Sequence, residues 1–274
     1  MIISGVGISA GADSEVAVAQ AINDAQSQLN GADVSLALLF ASSTYDQESV
    51  VKRTQEHLGE DITLFGGSTA GEISQHGPSM SPSIVIMLLS FSDDIEVGIA
   101  FETGAEEEPE QKGTALGTAL SQSISTDPKL ALMIADGLKV NPSAILRGLQ
   151  ESLPGTPVAG GSAGDDGKYV QTFQYANDKV LSSAVSAIVL GGALKHSVGV
   201  RHGWNPISAP KKITKISGTV IHEIDEKPAI ELYEEFLGKE KAAMLKEVTL
   251  AELALSYPLG VTDKSSGEML LRAP

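Results

Sequence analysis

Apolar residues recur along the chain in two periods, and the period switches at turn-forming residues. Val18, Ile22, Ala25 and Leu29 fall at helical spacing behind Asp13-Ser14 and before Gly31, which predicts a helix with its cap and its stop. A strand over 34–41 follows. Asp46 opens a second helix with Val50, Val51 and Leu58 on one side and Gly59 at its end, and a short strand then runs into Gly66-Gly67. Apolar runs at 83–91 and 95–102, joined by the turn-type Ser92-Asp93-Asp94, predict a β-hairpin.

The same order then recurs. Leu36-Ala-Leu-Leu-Phe-Ala41 returns as Leu130-Ala-Leu-Met-Ile-Ala135, and Gly66-Gly-Ser68 as Gly160-Gly-Ser162, both displaced by 94 positions. Further on, Ile84–Leu89 matches Val185–Leu190 at a displacement of 101, so the second copy carries an insertion after its Gly-rich segment. Its first helix opens with the acidic run Glu106–Glu110 around Pro109, which suits a helix N-terminus, and its second is capped by Asn141-Pro142. Strands over 169–175, 180–190 and 196–202 complete the expectation. The fold class expected is α/β, with a helix-strand-helix-strand-hairpin unit present twice, about 13–104 and 109–204, in mixed sheets.

Beyond Trp204 the chain changes character. Pro206, Pro210, Lys211, Lys212 and Lys215 read as a linker, a strand is expected from Ile213 through Val220 to Ile224, and Ile230, Tyr233, Phe236 and Leu237 form one side of a helix ended by Gly238. With a last strand over 268–272, residues 205–274 read as part of an α+β region that would need further pairing.

Composition removes several function classes. Nineteen Lys and Arg against 35 Asp and Glu give a net charge of −16, which repels phosphate backbones and anionic lipid, so neither nucleic acid nor membrane is an expected partner. With no cysteine there can be no disulfide, thiolate nucleophile or Cys-ligated metal site, and a reducing cytoplasm fits. The N-terminus lacks the basic stretch of a secretion signal, and the most apolar window of the chain, Ile84–Leu89, is six residues, far short of the roughly 20 that span a bilayer.

The 28 glycines and the 4% aromatic content direct attention to close backbone approach. Gly66-Gly-Ser-Thr-Ala-Gly-Glu72 and Gly160-Gly-Ser-Ala-Gly-Asp-Asp166 are the leading candidates, because small residues expose backbone N–H groups while hydroxyls and carboxylates orient a ligand. The alternative is that these glycines only permit tight contact between strands. They form neither a dinucleotide fingerprint nor a P-loop. Ser42-Ser43-Thr44-Tyr45 and Asp136-Gly137-Leu138, at the ends of the duplicated strands, are further candidates, Asp136 being equally suited to holding a turn. The five histidines, His57, His76, His196, His202 and His222, show no paired metal spacing, and neither Ser68 nor Ser162 sits in a nucleophile-elbow motif.

The paired Gly-rich segments, the strand and turn of Leu130–Leu138, and above all residues 201–238, in which Gly203-Trp204 precedes a Pro-containing linker, a strand and the Pro228-Ala229 helix with Tyr233, resemble the FIST family (F-box and intracellular signal transduction proteins). The resemblance implies an N-terminal sensory domain over about 1–204 and the beginning of a C-terminal domain over 205–274, which is then incomplete. It implies a sensory, small-ligand role in signal transduction, with amino acids or their derivatives as ligands; a histidine kinase, cyclase or chemoreceptor is the expected partner, and with no catalytic constellation in the sequence no enzymatic activity is expected. The matching positions are Ser68, Thr69, Gly71, Glu72, Ser162, Gly164, Asp165 and Asp166, with Asp136 and Trp204. No cofactor is expected on the first reading. The alternatives are a haem-based nitric oxide sensor regulating a histidine kinase, and a hydrolase or transferase using Ser68 or Ser162 with Asp136 or Glu72.

Overall fold

The computed structural model describes residues 2–75, 77–78, 82–200, 203–217, 220–240, 257–262 and 269–272. The chain divides into two compact units, Met1–Gly199 and Val200–Pro274. The first unit begins β1 (Ile2–Ala10), α1 (Ser14–Ser27), β2 (Leu36–Ser42), α2 (Gln47–Leu58), β3 (Thr63–Thr69), the short strands β4 (Ile73–Ser74) and β5 (Gly77–Pro78), and β6 (Ser83–Phe91). It continues β7 (Ile95–Thr103), α3 (Pro109–Gln122), β8 (Pro128–Ala135), α4 (Pro142–Ser152), β9 (Val158–Ser162), β10 (Gln174–Ala176), β11 (Lys179–Leu181) and β12 (Ala184–Gly192).

Local chemistry sets the helix starts. Asp13 accepts the N–H groups of Glu15 and Val16, Asp46 that of Ser49, and Asn141 those of Ser143 and Ala144, each satisfying donors that the first turn leaves free. Gly59 ends α2 at φ 104°, in the left-handed region open to glycine.

One sheet runs β1-β6-β2-β3-β10-β11 and the other β7-β12-β8-β9. In each, the central pair (β2 with β3, β8 with β9) is parallel, and the long strand beside it (β6, β12) is antiparallel to both its neighbours. Alternation along the strands sorts the core into three layers. Ala37, Leu39 and Ala41 of β2 pack with Val18, Ile22 and Val50 of α1 and α2, whereas Leu36, Leu38 and Phe40 face Ile134, Ile188 and Leu190 of the other sheet. On the far side, Met133, Val185 and Val189 meet Leu116, Leu120, Ile145 and Leu149 of α3 and α4. The first unit is therefore a four-layer stack, helices on two face-to-face sheets on helices, and the expected mixed α/β class holds.

The expected hairpins do not form. β6 and β7 enter different sheets, and β7 pairs with β12 from Ile95–Gly192 to Thr103–Ala184. β6 already has β1 and β2 on its two edges, and β12 has β7 and β8, so neither has an edge left for the strand that follows it. Residues 193–200 accordingly form no strand, and 201–202 lie outside the described residues. The strand expected over 169–175 is reduced to β10, because residues 165–173 form a loop around Asp165. Among the described residues no helix is long and apolar enough to cross a membrane.

The second unit contains β13 (Ile213–Ser217), β14 (Val220–Ile224), β15 (Lys227–Pro228), α5 (Ala229–Leu237), β16 (Leu259–Thr262) and β17 (Met269–Arg272). The single strand expected from Ile213 to Ile224 is two antiparallel ones, with Ser217 opposite Val220. Gly218-Thr219, between them in sequence, lies outside the described residues, and the apolar alternation on either side masked the break in the sequence reading. β17 pairs with β16. The linker lysines are partly engaged: Lys211 pairs with Glu235 at 3.3 Å and Lys215 with Glu223 at 3.7 Å.

Candidate functional site

Gly66 and Gly67 lie inside β3 rather than after it. A Cβ on Gly66 would fall 1.7 Å from the Leu39 carbonyl oxygen, and one on Gly160 would fall 1.9 Å from that of Met133, so both glycines let the third strand approach its parallel neighbour. The strand-contact reading of these two glycines is the one the geometry supports.

The residues that follow do more. Ser68 is buried, its hydroxyl donating to the Gly164 carbonyl oxygen at 2.6 Å and accepting from the Phe173 N–H at 2.8 Å. The Gly164 N–H donates to the Ser68 carbonyl at 2.9 Å, and that of Asp166 to the Thr69 carbonyl at 3.0 Å. A Cβ on Gly164 would lie 2.7 Å from the Ala70 nitrogen. The two Gly-rich segments thus meet backbone to backbone, with glycine required at the crossing. Gly71 has open space around it and is there for its left-handed φ of 133°.

Carboxylates gather around this crossing. Glu72 is buried and accepts from the hydroxyls of Thr69 and Ser83. Its charge adds to burial in raising the phenol of Tyr175, whose hydroxyl donates to Gln47 Oε1 at 2.5 Å. Tyr45 is raised as well, first by burial and then by Glu72, against the lowering effect of its bond to the Gly11 carbonyl. Asp166, at φ 58°, extends Oδ2 to Ser42 Oγ (2.9 Å), Ser43 N (2.8 Å) and Ser43 Oγ (2.7 Å) at the carboxyl end of β2. Lys168 Nζ donates to Ser43 Oγ at 3.1 Å.

Asp165 turns inward. Burial would raise its carboxyl, but the N–H groups of Val170, Tyr169, Gln171 and Lys168 outweigh this and hold it below the usual carboxylate range. It organises the loop that presents Asp166 and Lys168. Asp136 likewise holds a turn: Oδ1 accepts from Leu138 N and Lys139 N, both at 2.8 Å, and Oδ2 from Thr172 Oγ1 at 2.9 Å.

Of the residues expected at a site, Ser68, Thr69, Glu72, Gly164, Asp165 and Asp166 come together around one junction, joined by Ser42 and Ser43. Ser162 does not share Ser68's setting: it is exposed at the end of β9, an edge strand. Trp204 is 43% exposed and belongs to the second unit. Lys168 was missed; its signal was its place as the first basic residue after the Asp165-Asp166 pair. Ser68's hydroxyl is committed on both sides to backbone groups, which does not suit a nucleophile.

Two clefts of about 530 and 330 Å3 lie elsewhere, the first along α3 and the second between β7 and the β10–β11 turn. His57, His196 and His222 are exposed and line neither cleft, and His57 and His222 bond to Arg53 O and Ser217 Oγ. These three do not offer an axial ligand in an apolar crevice, so the haem expectation finds no fitting site among the described residues. His76 and His202 lie outside them. The described residues contain no cluster of His, Asp and Glu that could hold a metal ion.

Comparison with known proteins gives a consistent answer. The family model described as the FIST N domain matches residues 35–227. An uncharacterized protein of Methanocaldococcus jannaschii is 26% identical over 245 residues, covering 82% of this chain and 47% of its own length. An uncharacterized protein of Mycobacterium tuberculosis is 28% identical over 229 residues, covering 82% and 57%. The chain spans about half the length of these curated relatives. Among solved structures, the cyanuric acid hydrolase from A. caulinodans is 10% identical over 70% of this chain and 67% of that one, with a TM-score of 0.36, too low to carry an argument.

Proposed function

The chain belongs to the FIST family, a family of sensory domains in signal transduction, and from that premise we propose that its first unit binds a small ligand at the junction of the two Gly-rich segments. The ligand class is an amino acid or a derivative of one. The observation that carries this reading is the grouping of opposite charges and hydroxyls at the carboxyl ends of parallel strands: Asp166 and Lys168 both on Ser43, with Thr69 and Glu72 alongside. Such ends commonly line ligand crevices in open α/β sheets. A zwitterion complements this pattern, its ammonium group set against carboxylate and its carboxylate against the Lys168 ammonium.

Ligand binding here would be passed to a histidine kinase, cyclase or chemoreceptor, in the cytoplasm, with no chemical step in this unit. Calorimetric titration with a panel of amino acids and their derivatives tests the proposal. A ligand at 100 times its Kd is expected to stabilise the fold by about 2.7 kcal/mol, and Asp166→Asn and Lys168→Met are each expected to weaken it at least about tenfold. Absence of heat and of stabilisation across the panel would overturn it.

A further inference from the structure

The two halves of the first unit run through the same elements in the same order: strand, helix, strand, helix, strand, a two-stranded hairpin, strand. The hairpins are β4–β5 in the first half and β10–β11 in the second. Ser74 pairs with Gly77 and Ile73 with Pro78, as Ala176 pairs with Lys179 and Tyr175 with Val180, and two residues separate the inner pair in each. Ile73 thus holds the place of Tyr175.

The second hairpin has a seat. β10 adds to the edge of β3 with Tyr175 opposite Gly66, and the Tyr175 side chain is wholly buried in the core formed with α1 and α2. The first hairpin has none. Among the described residues β4 pairs only with β5, and Ile73, 79% exposed, is the most exposed of the large apolar side chains. A single exposed isoleucine is ordinary, but this one stands where its counterpart is a docked core residue.

The edge that would receive it is open in the same way. β9 is the counterpart of β3, Gly160 lying opposite Met133 of its parallel neighbour as Gly66 lies opposite Leu39. β3 is buried from Leu64 to Ser68, whereas β9 ends its sheet and exposes Gly160, Gly161 and Ser162. Val158, on the same face as Gly160, is only partly buried against the core of α3 and α4. Val158–Ser162 also lacks the charges and prolines that commonly guard an edge. Each chain therefore carries one unseated hairpin and one uncovered edge, the two kinds of surface that already fit together once within it.

We infer that the chain associates with a second copy of itself head to tail, β4 of one copy adding antiparallel to the β9 edge of the next, with Ile73 opposite Gly160 and against Val158. A second copy is the occupant because one molecular species then satisfies both surfaces in equal numbers. The contact joins two different surfaces, so it closes into a ring or runs on as a string of copies. The joint is small, with an expected dissociation constant of about 10 μM or weaker, and dilute protein is monomeric.

Sedimentation velocity of the full chain from about 1 to 500 μM should show a mass that rises above the monomer's. Ile73→Asp spoils the hairpin. Ser162→Pro removes from the edge the N–H whose counterpart, on Ser68, donates to the Phe173 carbonyl. Each variant alone should remain monomeric over the whole range, with a urea midpoint close to that of the unaltered protein. Mixed in equal amounts, the two should form a dimer and nothing larger, since one brings the intact hairpin and the other the intact edge. Should Ser162→Pro fail to fold, Ser162→Lys, a charge on the same edge, takes its place. A monomer throughout would assign both surfaces to a different protein and overturn the inference. Association that survives either substitution, or a mixture that stays monomeric, would overturn it as well.

Discussion

Gly66-Gly67-Ser68 and Gly160-Gly161-Ser162 are the same three residues on the third strand of two sheets built to one plan, yet they live in different surroundings. Gly66 and Gly160 behave alike, each making room for the backbone of its own parallel neighbour. Gly67 and Gly161 do not. Over Gly67 lies the Phe173 carbonyl, 2.7 Å from where a Cβ would be, whereas a Cβ on Gly161 would meet nothing within 4 Å. Ser68 is clamped between Gly164 and Phe173, while Ser162 is exposed. A repeated motif thus reproduces the contacts made inside its own sheet, and its outer edge takes its role from whatever strand arrives there. In the first sheet that strand is β10, donated by the second half of the unit.

The comparison can be broken at four points of decreasing size. Gly66→Ala and Gly160→Ala should each cost at least about 3 kcal/mol, since a backbone atom must move in both; a urea midpoint near that of the unaltered protein for either would sink the claim that they are equivalent. Gly67→Ala should cost about 1–3 kcal/mol, and Gly161→Ala should be within about 0.5 kcal/mol of neutral, because only the former meets a carbonyl. Similar losses in the two would mean that β9 is covered after all. Ser68→Ala should cost about 1–2 kcal/mol through the Phe173 N–H and Gly164 carbonyl it leaves unpaired, and Ser162→Ala nothing measurable.

The smallest effect is one of pH. Because the folded state holds the Asp165 carboxyl below its unfolded value of about 3.9, its contribution is complete above that pH and lost as pH falls through the lower folded value. The difference in denaturation midpoint between the unaltered protein and Asp165→Asn should therefore be constant from pH 7 to about 5 and shrink below about 4. A difference that persists unchanged at pH 3 would remove Asp165's role in holding its loop.

The sequence revealed what is decided locally. Asp13, Asp46 and Asn141-Pro142 mark helix starts through bonds to N–H groups two or three residues on, and each cap stands where it was expected. The Ser92-Asp93-Asp94 turn was legible as a turn, but turn chemistry does not name a strand's partner, and β7 finds its partner some ninety residues later in β12. The same limit applies to the site. The Gly-rich segments stood out by composition, whereas the contact of Lys168 with Ser43, 125 positions apart, exists only because β10 draws the second loop over the first sheet. A buried acceptor with no hydrogen-bond partner among the described residues, such as Gln174 Oε1, leaves no trace in sequence, since only the finished core shows which polar atoms lack a partner.

The donated strand also sets an order in time. When a ribosome has delivered β6, everything in the first sheet is present except β10 and β11, and β10 begins at Gln174, some eighty residues further on. At about 5–20 residues per second, β3 then waits roughly 4–17 s with its glycine-rich edge unpaired. During that interval the nascent chain presents a template for strand pairing with any neighbour on the same message, so the emergence of Gln174–Ala176 is the step that closes the first half to intruders.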